Sequence, residues 1–206
     1  MELFRYDGRM IRVTDRSGHA FTGAAASFSA EYGRLEFGRA EESVRLGGVR
    51  LFGSDIAGIT ELPGLAVLRA TETWQRAGAY YVRVQAMAKK HRIPLRQEFD
   101  GHDGPDTKYI VVTDDGFPVA TARMYPLDSE RMMIGRVVVL PEYRGQGIGR
   151  MVVSECEAWA GETGYAKTAV DSRENKVGFY EKLHYEIRGK AVEGETFRCV
   201  RMEKDL

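Results

Sequence analysis

Three glycines, at 145, 147 and 149, punctuate the run Val137-Val138-Val139-Leu140-Pro141-Glu142-Tyr143-Arg144-Gly145-Gln146-Gly147-Ile148-Gly149-Arg150. An apolar strand pattern enters this turn and an amphipathic helical pattern leaves it. Residues without a Cβ let backbone N–H groups approach an anion closely. The start of a helix adds unpaired donors and a partial positive charge. The expected chemistry is a phosphate cradle built from Arg144, Gly145, Gln146, Gly147, Ile148 and Gly149. Two other glycine loops are excluded. A P-loop would place Lys-Ser or Lys-Thr after its last glycine, and neither follows here. A dinucleotide fingerprint reads Gly-x-Gly-x-x-Gly, whereas this loop reads Gly-x-Gly-x-Gly after antiparallel strands.

A second segment with chemical potential runs from Glu98 to Asp106. It holds Glu98, Asp100, Asp103, Asp106 and His102, with no Lys or Arg. A carboxylate or imidazole in such a loop can take a proton, directly or through water, and attracts a cationic amine. Glu98 and Asp100 are the candidate bases. No metal-ligand spacing accompanies His102-Asp103, so no metal is expected. Arg123 and Arg136, on adjacent predicted strands, either face the same cleft or pair with these acids.

The elements around these segments fall into two textures. Residues 1 to 64 hold eight Arg, nine Asp or Glu and no Lys, and their apolar spacing is mostly two. Short strands are expected at Met10 to Thr14, Ala20 to Phe28, Arg34 to Phe37, Ser43 to Leu46, Val49 to Phe52 and Ile56 to Leu62. Such spacing predicts a small antiparallel barrel. Pro63-Gly64 marks a boundary, and Leu65 to Arg92 reads as helical, with Trp74, Ala77, Tyr81, Val84 and Ala88 on one face. Strands are then expected at Tyr109 to Val112, Val119 to Tyr125, Met132 to Leu140 and Lys167 to Val170. Asp114-Asp115-Gly116 reads as a hairpin turn. Helices follow at Gly147 to Ala160, with Ile148, Met151, Val152, Cys156 and Trp159 on one stripe, and at Glu174 to Leu183. Tyr185 to Ile187 and Thr196 to Met202 close the chain as strands.

With these elements in place, Arg144-x-x-Gly147-x-Gly149 after Val137-Val138-Val139 resembles the acyl-CoA signature of the GNAT superfamily of N-acetyltransferases. Val177-Gly178-Phe179-Tyr180-Glu181-Lys182-Leu183-His184-Tyr185 is similar to a downstream helix of that superfamily. The resemblance spans about residues 70 to 203, and Tyr81 to Asp103 is most similar to the ElaA-like branch. It implies an α+β GNAT fold over 65–206, with a mixed, mostly antiparallel sheet flanked by helices. It implies acetyl-CoA as donor, with its pyrophosphate on the N–H groups of residues 144 to 149. Val137, Val138 and Val139 would receive its pantetheine arm, and Asn175 would assist. Tyr180 would be the general acid that protonates the leaving thiolate. Two departures stand out: Arg173 sits where the family has Asn, and His184 replaces a Gly. Residues 1–64 resemble a small Sm-like or SH3-like barrel, through Ile11 to Asp15 and Leu51 to Ile56.

The expected activity is acetyl transfer to a primary amine, a small cationic one by virtue of the acidic loop. The alternative is a non-catalytic CoA sensor or an adaptor for RNA or protein. The full chain has 206 residues, 30 Lys or Arg against 30 Asp or Glu, and 43% hydrophobic residues. That composition supports a packed core, and its neutrality argues against nucleic acid as a partner. No apolar run reaches the 18 or so residues of a membrane helix, and the first residues lack the apolar stretch of a signal peptide. Cys156 and Cys199 make no disulfide framework, so reduced thiols in the cytoplasm are expected. The barrel is expected to serve as an interaction module, with a homodimer as one form of that.

Overall fold

The computed structural model describes residues 2–193 and 197–206. The first sheet contains β1 (Met10–Asp15), β2 (Ala20–Phe28), β3 (Ser43–Leu46), β4 (Val49–Phe52) and β5 (Ile56–Glu61). They pair antiparallel in the order β4-β3-β2-β1-β5. Among the described residues no ladder joins β4 to β5, so the expected closed barrel is instead an open sheet path. Its core is Leu3, Ile11, Val13, Val44, Leu51 and Ile56, all buried.

The strand expected at Arg34 to Phe37 is wrong. This segment lies in a helix, α1 (Ala30–Phe37), capped by Ser29, whose Oγ accepts from the Tyr32 N–H at 3.1 Å, and closed by Gly38 at φ 69°. Leu35 and Phe37 are 69% and 50% exposed. Their alternation with charged neighbours therefore reflects no buried strand face.

The second sheet contains β6 (Leu65–Arg69), β7 (Lys108–Asp114), β8 (Phe117–Pro126), β9 (Arg131–Val139), β10 (Lys167–Arg173), β11 (Glu186–Ile187), β12 (Val192–Glu193) and β13 (Arg198–Asp205). The order is β11-β13-β10-β9-β8-β7-β6, with β12 also on β13. All of these pairs are antiparallel except β9 with β10. Asp115 at φ 47° and Gly116 at φ 81° make the expected tight hairpin between β7 and β8. The expected start of the last strand at Thr196 lies outside the described residues.

Two helices sandwich this sheet. On one face α4 (Ile148–Glu162) buries Ile148, Met151, Val152, Val153, Cys156 and Ala160, close to the expected stripe. Toward the other lies α2 (Thr73–Arg83), which runs into a π-helical turn, Val84–Lys89. The helical stretch expected from Leu65 starts only at Thr73, because Leu65–Arg69 is the edge strand β6. The expected face holds at Ala88, which is buried, but not over α2. Trp74 is 51% and Tyr81 38% exposed, whereas Gln75, Gly78, Ala79, Val82 and Arg83 are buried. Close approach selects the small residues: a Cβ on Gly78 would lie 3.1 Å from Pro118 Cβ. A one-turn helix, α3 (Leu95–Glu98), and a short helix, α5 (Val177–Glu181), complete the site region. No described helix is long and apolar enough to cross a membrane.

Candidate active site

The parallel pairing of β9 with β10 stops at Ile134↔Val170. Beyond it each strand continues, to Val139 and to Arg173, so the strands diverge without hydrogen bonds between them. One cause is a bulge in β9. Thr121 pairs with Val138 but Arg123 pairs with Gly135, which leaves one extra residue on β9, and Arg136 takes φ 51°. Gly135 was the legible signal, since glycine inside a strand pattern often marks a bulge.

Strand alternation then decides which backbone groups face the opening. The Leu140 N–H donates to the Val119 carbonyl at 2.9 Å, toward β8. Val138 shares that direction, so the N–H and C=O of Val137 and Val139 point away from β8, into the gap. This is an edge to which an extended amide-bearing chain can add as a strand. Arg144 Nε donates to the Val139 carbonyl at 2.9 Å, tying the exposed signature arginine to that edge. The Val138 side chain turns the other way and packs with Val82, Ala86 and Leu140.

The edge leads into the glycine turn. Gly145 and Gly147 have φ 75° and 83°, and Gly147 caps α4 with no side-chain hydrogen bond at the helix start. The first intrahelical bond runs from the Met151 N–H to the Gly147 carbonyl, so the amides of Ile148, Gly149 and Arg150 precede the helical ladder. Such donors fit a diphosphate.

The first sheet braces this turn, a relation no local pattern could show, since 124 residues separate the partners. Thr22 Oγ1 donates to the Gln146 carbonyl. Arg12 Nη1 donates to Gln146 Oε1 at 2.7 Å. A Cβ on Gly147 would lie 2.8 Å from both Ala20 O and Thr22 N. A cleft of about 280 Å³ opens beside this brace, lined by Thr22, Gln146 and Ile148 and by Glu61, Asp114 and Asp115, whose carboxylates would repel a diphosphate there.

Tyr180 lies on α5, half-buried, with edge-on ring contacts to Phe179 and Tyr185 at 4.9 and 5.6 Å between centroids. Its hydroxyl has no hydrogen-bond partner among the described residues. Burial, reinforced by Cys156 and opposed by Arg173, raises its pKa well above that of an ordinary phenol. It is therefore protonated at neutral pH and available as an acid. The turn after it survives the loss of the family's glycine: His184 adopts φ 67° there. Asn175 lies exposed in the turn Glu174–Lys176.

The acidic loop is not a free negative surface. Arg83 is fully buried; its Nε donates to Glu98 Oε1 at 2.8 Å and its Nη1 to Asp103 Oδ1 at 2.5 Å. Arg123 bridges Asp100 and Asp103 at 2.6 and 2.7 Å, and Arg136 reaches Glu98 and Asp100 at 3.3 and 3.1 Å. Tyr109 also donates to Asp103 at 2.5 Å. Three carboxylates thus meet three guanidiniums, which settles the open choice for Arg123 and Arg136 in favour of pairing. Glu98 is 2% exposed, beyond the reach of a substrate ammonium. Despite partial burial, Asp100 is held below the usual carboxylate range by hydrogen bonds from Arg123 and His102, which makes it a weak base. His102 stacks on Tyr125 at 4.0 Å. The placement of Glu98 and Asp100 therefore gives the base role no support.

Arg173 ends β10 at the mouth of the opening. Its guanidinium lies 3.4 Å from the Phe197 ring centroid, and Nη2 meets Met87 Sδ at 3.2 Å.

Comparison with known proteins agrees with this geometry. The Acetyltransferase (GNAT) family matches residues 69–185, which include the glycine turn and Tyr180. The uncharacterized N-acetyltransferase YjcF of Bacillus subtilis is 27% identical over 113 residues, 55% of this chain and 79% of its own. An N-acetyltransferase structure from Lactobacillus plantarum superposes with TM-score 0.66 at 26% identity, covering 69% of this chain and 99% of that one. Escherichia coli ElaA superposes with TM-score 0.60 at 20% identity over 68% of this chain and 97% of its own, a likeness of fold. A GNAT structure from Elizabethkingia anophelis with acetyl-CoA bound superposes with TM-score 0.52 at 14% identity, over 69% of this chain and 99% of that one. The diverging strands, the glycine turn and the matched profile together place this chain in the GNAT family of acetyltransferases.

Proposed function

We propose that the protein transfers the acetyl group of acetyl-CoA to a primary amine. The observation that carries this reading is the end of β9–β10 pairing at Ile134↔Val170, with the Val137 and Val139 edge open and leading into the glycine turn. In this reading the backbone N–H groups from Gly145 to Gly149 hold the diphosphate, the Arg144 N–H being taken by the Pro141 carbonyl, and Val137 and Val139 pair with the pantetheine amides. Bound acetyl-CoA supplies the activated thioester. Val138 fixes the strand edge by packing behind it, and Asn175 lies at the rim on the α5 side.

Tyr180 donates its phenolic proton to the departing sulfur. The acceptor's proton leaves through water rather than to Glu98 or Asp100, whose lone pairs are engaged by Arg83, Arg123 and Arg136. Those acids instead hold the three arginines that shape the acceptor wall. Within the family we place the chain beside ElaA, on the shared fold and on the Tyr81 to Asp103 segment. We also propose two units, 1–64 and 65–206, because the chain leaves the first sheet after Glu61 and enters the second at Leu65.

The test is release of free thiol from acetyl-CoA over a panel of amines. The reading expects amine-dependent release with stoichiometric acetyl-amine; acetyl-CoA binding with no release for any amine would contradict it.

A further inference from the structure

At the end of β10 stands a half-buried cation that no carboxylate pairs among the described residues, Arg173. Glu98, Asp100 and Asp103 are each engaged by Arg83, Arg123 or Arg136. Arg173 makes no ion pair with that set. Among the described residues its guanidinium meets only a thioether sulfur and an aromatic face, both weak partners for a cation that is half-buried. A guanidinium withdrawn from water without a carboxylate is costly, and an incoming anion removes that cost. Its position is at the strand end that borders the opening. It ends β10 beyond the last β9–β10 pair, and its charge is felt by Tyr180, the proposed acid. Burial works against its charge; Glu98, already paired with Arg83 and Arg136, favours that charge from a distance and Arg136 opposes it, and neither makes an ion pair with it.

We propose that Arg173 anchors a carboxylate on the acceptor, so that the substrates are amines bearing a carboxylate, such as amino acids, rather than simple cationic amines. The planar fork of arginine suits a carboxylate, which it grips through two parallel hydrogen bonds. This inference rests on the acetyl-transfer reading above and replaces the polyamine-like acceptor suggested by the acidic loop, three of whose four carboxylates the fold pairs with arginine, leaving Asp106 exposed.

Matched pairs test it: β-alanine against propylamine, γ-aminobutyrate against butylamine, and alanine against ethylamine, with spermidine and phosphoethanolamine beside them. Wild type should show kcat/KM about tenfold or more higher for the carboxylated member of at least one pair. Arg173→Gln should erase that preference through KM while leaving the Kd for acetyl-CoA within about twofold. Arg173→Lys should keep the preference with a raised KM, and it carries the test if the Gln variant does not fold. Equal use of both members, preference for propylamine, spermidine or phosphoethanolamine, or a loss of acetyl-CoA affinity in Arg173→Gln would overturn the proposal. Thermal shift of the CoA complex separates it from the reading beneath. If no amine is acetylated but the carboxylated amines stabilise wild type and not Arg173→Gln, transfer fails and the anchor stands. If they stabilise neither, the anchor fails.

Discussion

Tyr180 owes its fitness as an acid to its surroundings. A phenol in water already keeps its proton at neutral pH, and the apolar contacts of Phe179 and Tyr185 hold it more firmly. Tyr180→Phe removes the proton and keeps the ring, so kcat should fall about a hundredfold or more while the Kd for acetyl-CoA stays put. An unchanged kcat would remove Tyr180 from the chemistry. The raised pKa carries a sign: the acid form persists through neutrality, so wild-type activity should show no alkaline loss from this group below pH 10 or so.

Asp103 belongs to the same scale. Hydrogen bonds from Arg83 and Tyr109 outweigh its burial and pull its pKa down to about 2. A depressed carboxylate contributes stability above its ordinary pKa near 4 and loses it as the pH falls toward 2, worth roughly 2 kcal/mol here. Urea midpoints should drop over that window. Asp103→Asn leaves Arg83 and Arg123 short of a charge in a buried network and should cost about 3–5 kcal/mol at neutral pH. A loss under about 1 kcal/mol would contradict the coupling. The acids themselves were plain in the sequence; their partners Arg123 and Arg136 were visible only as two possibilities, because a charge pattern does not say what lies across a sheet.

At the scale of elements, the glycine turn and α4 were legible because their signals are local: an apolar strand, positive-φ glycines, then a 3.6-residue period. α2 was misread because its inward face is made of Gln75, Gly78, Ala79 and Arg83, where close packing and a buried ion pair override hydrophobicity. α1 was misread because its exposed Leu35 and Phe37 imitate a strand. The brace on the turn makes its own prediction. Gly147→Ala places a side chain on a left-handed backbone and against Ala20 O and Thr22 N, a strain of about 1–3 kcal/mol. The Kd for acetyl-CoA should rise about tenfold or more, with kcat at saturation far less affected. Wild-type affinity in that variant would show that the turn does not need its present shape.

Across the whole molecule, β7, β8, β9, β10 and β13 of the second sheet were foreseen, since they are long and separated by clear turns, whereas the edge strand β6 was read as helix and the two-residue β12 was not seen. The first sheet was foreseen in its strands but not in its open path, and its contact with the glycine turn joins residues distant in sequence. On the proposed reading, that contact ties cofactor binding to both sheets. Acetyl-CoA at a hundred times its Kd should stabilise the chain by about 2.7 kcal/mol and move a single unfolding transition as a whole. Two transitions, with only one moved by ligand, would mean that the sheets unfold independently.

The measurement that bears most directly on the account is isothermal titration of the full chain with acetyl-CoA. Diverging strands ending on a glycine cradle predict one saturable site per chain at sub-millimolar concentration, weakened in Gly147→Ala and retained in Tyr180→Phe. Absence of binding by the folded wild-type protein in that range would contradict it.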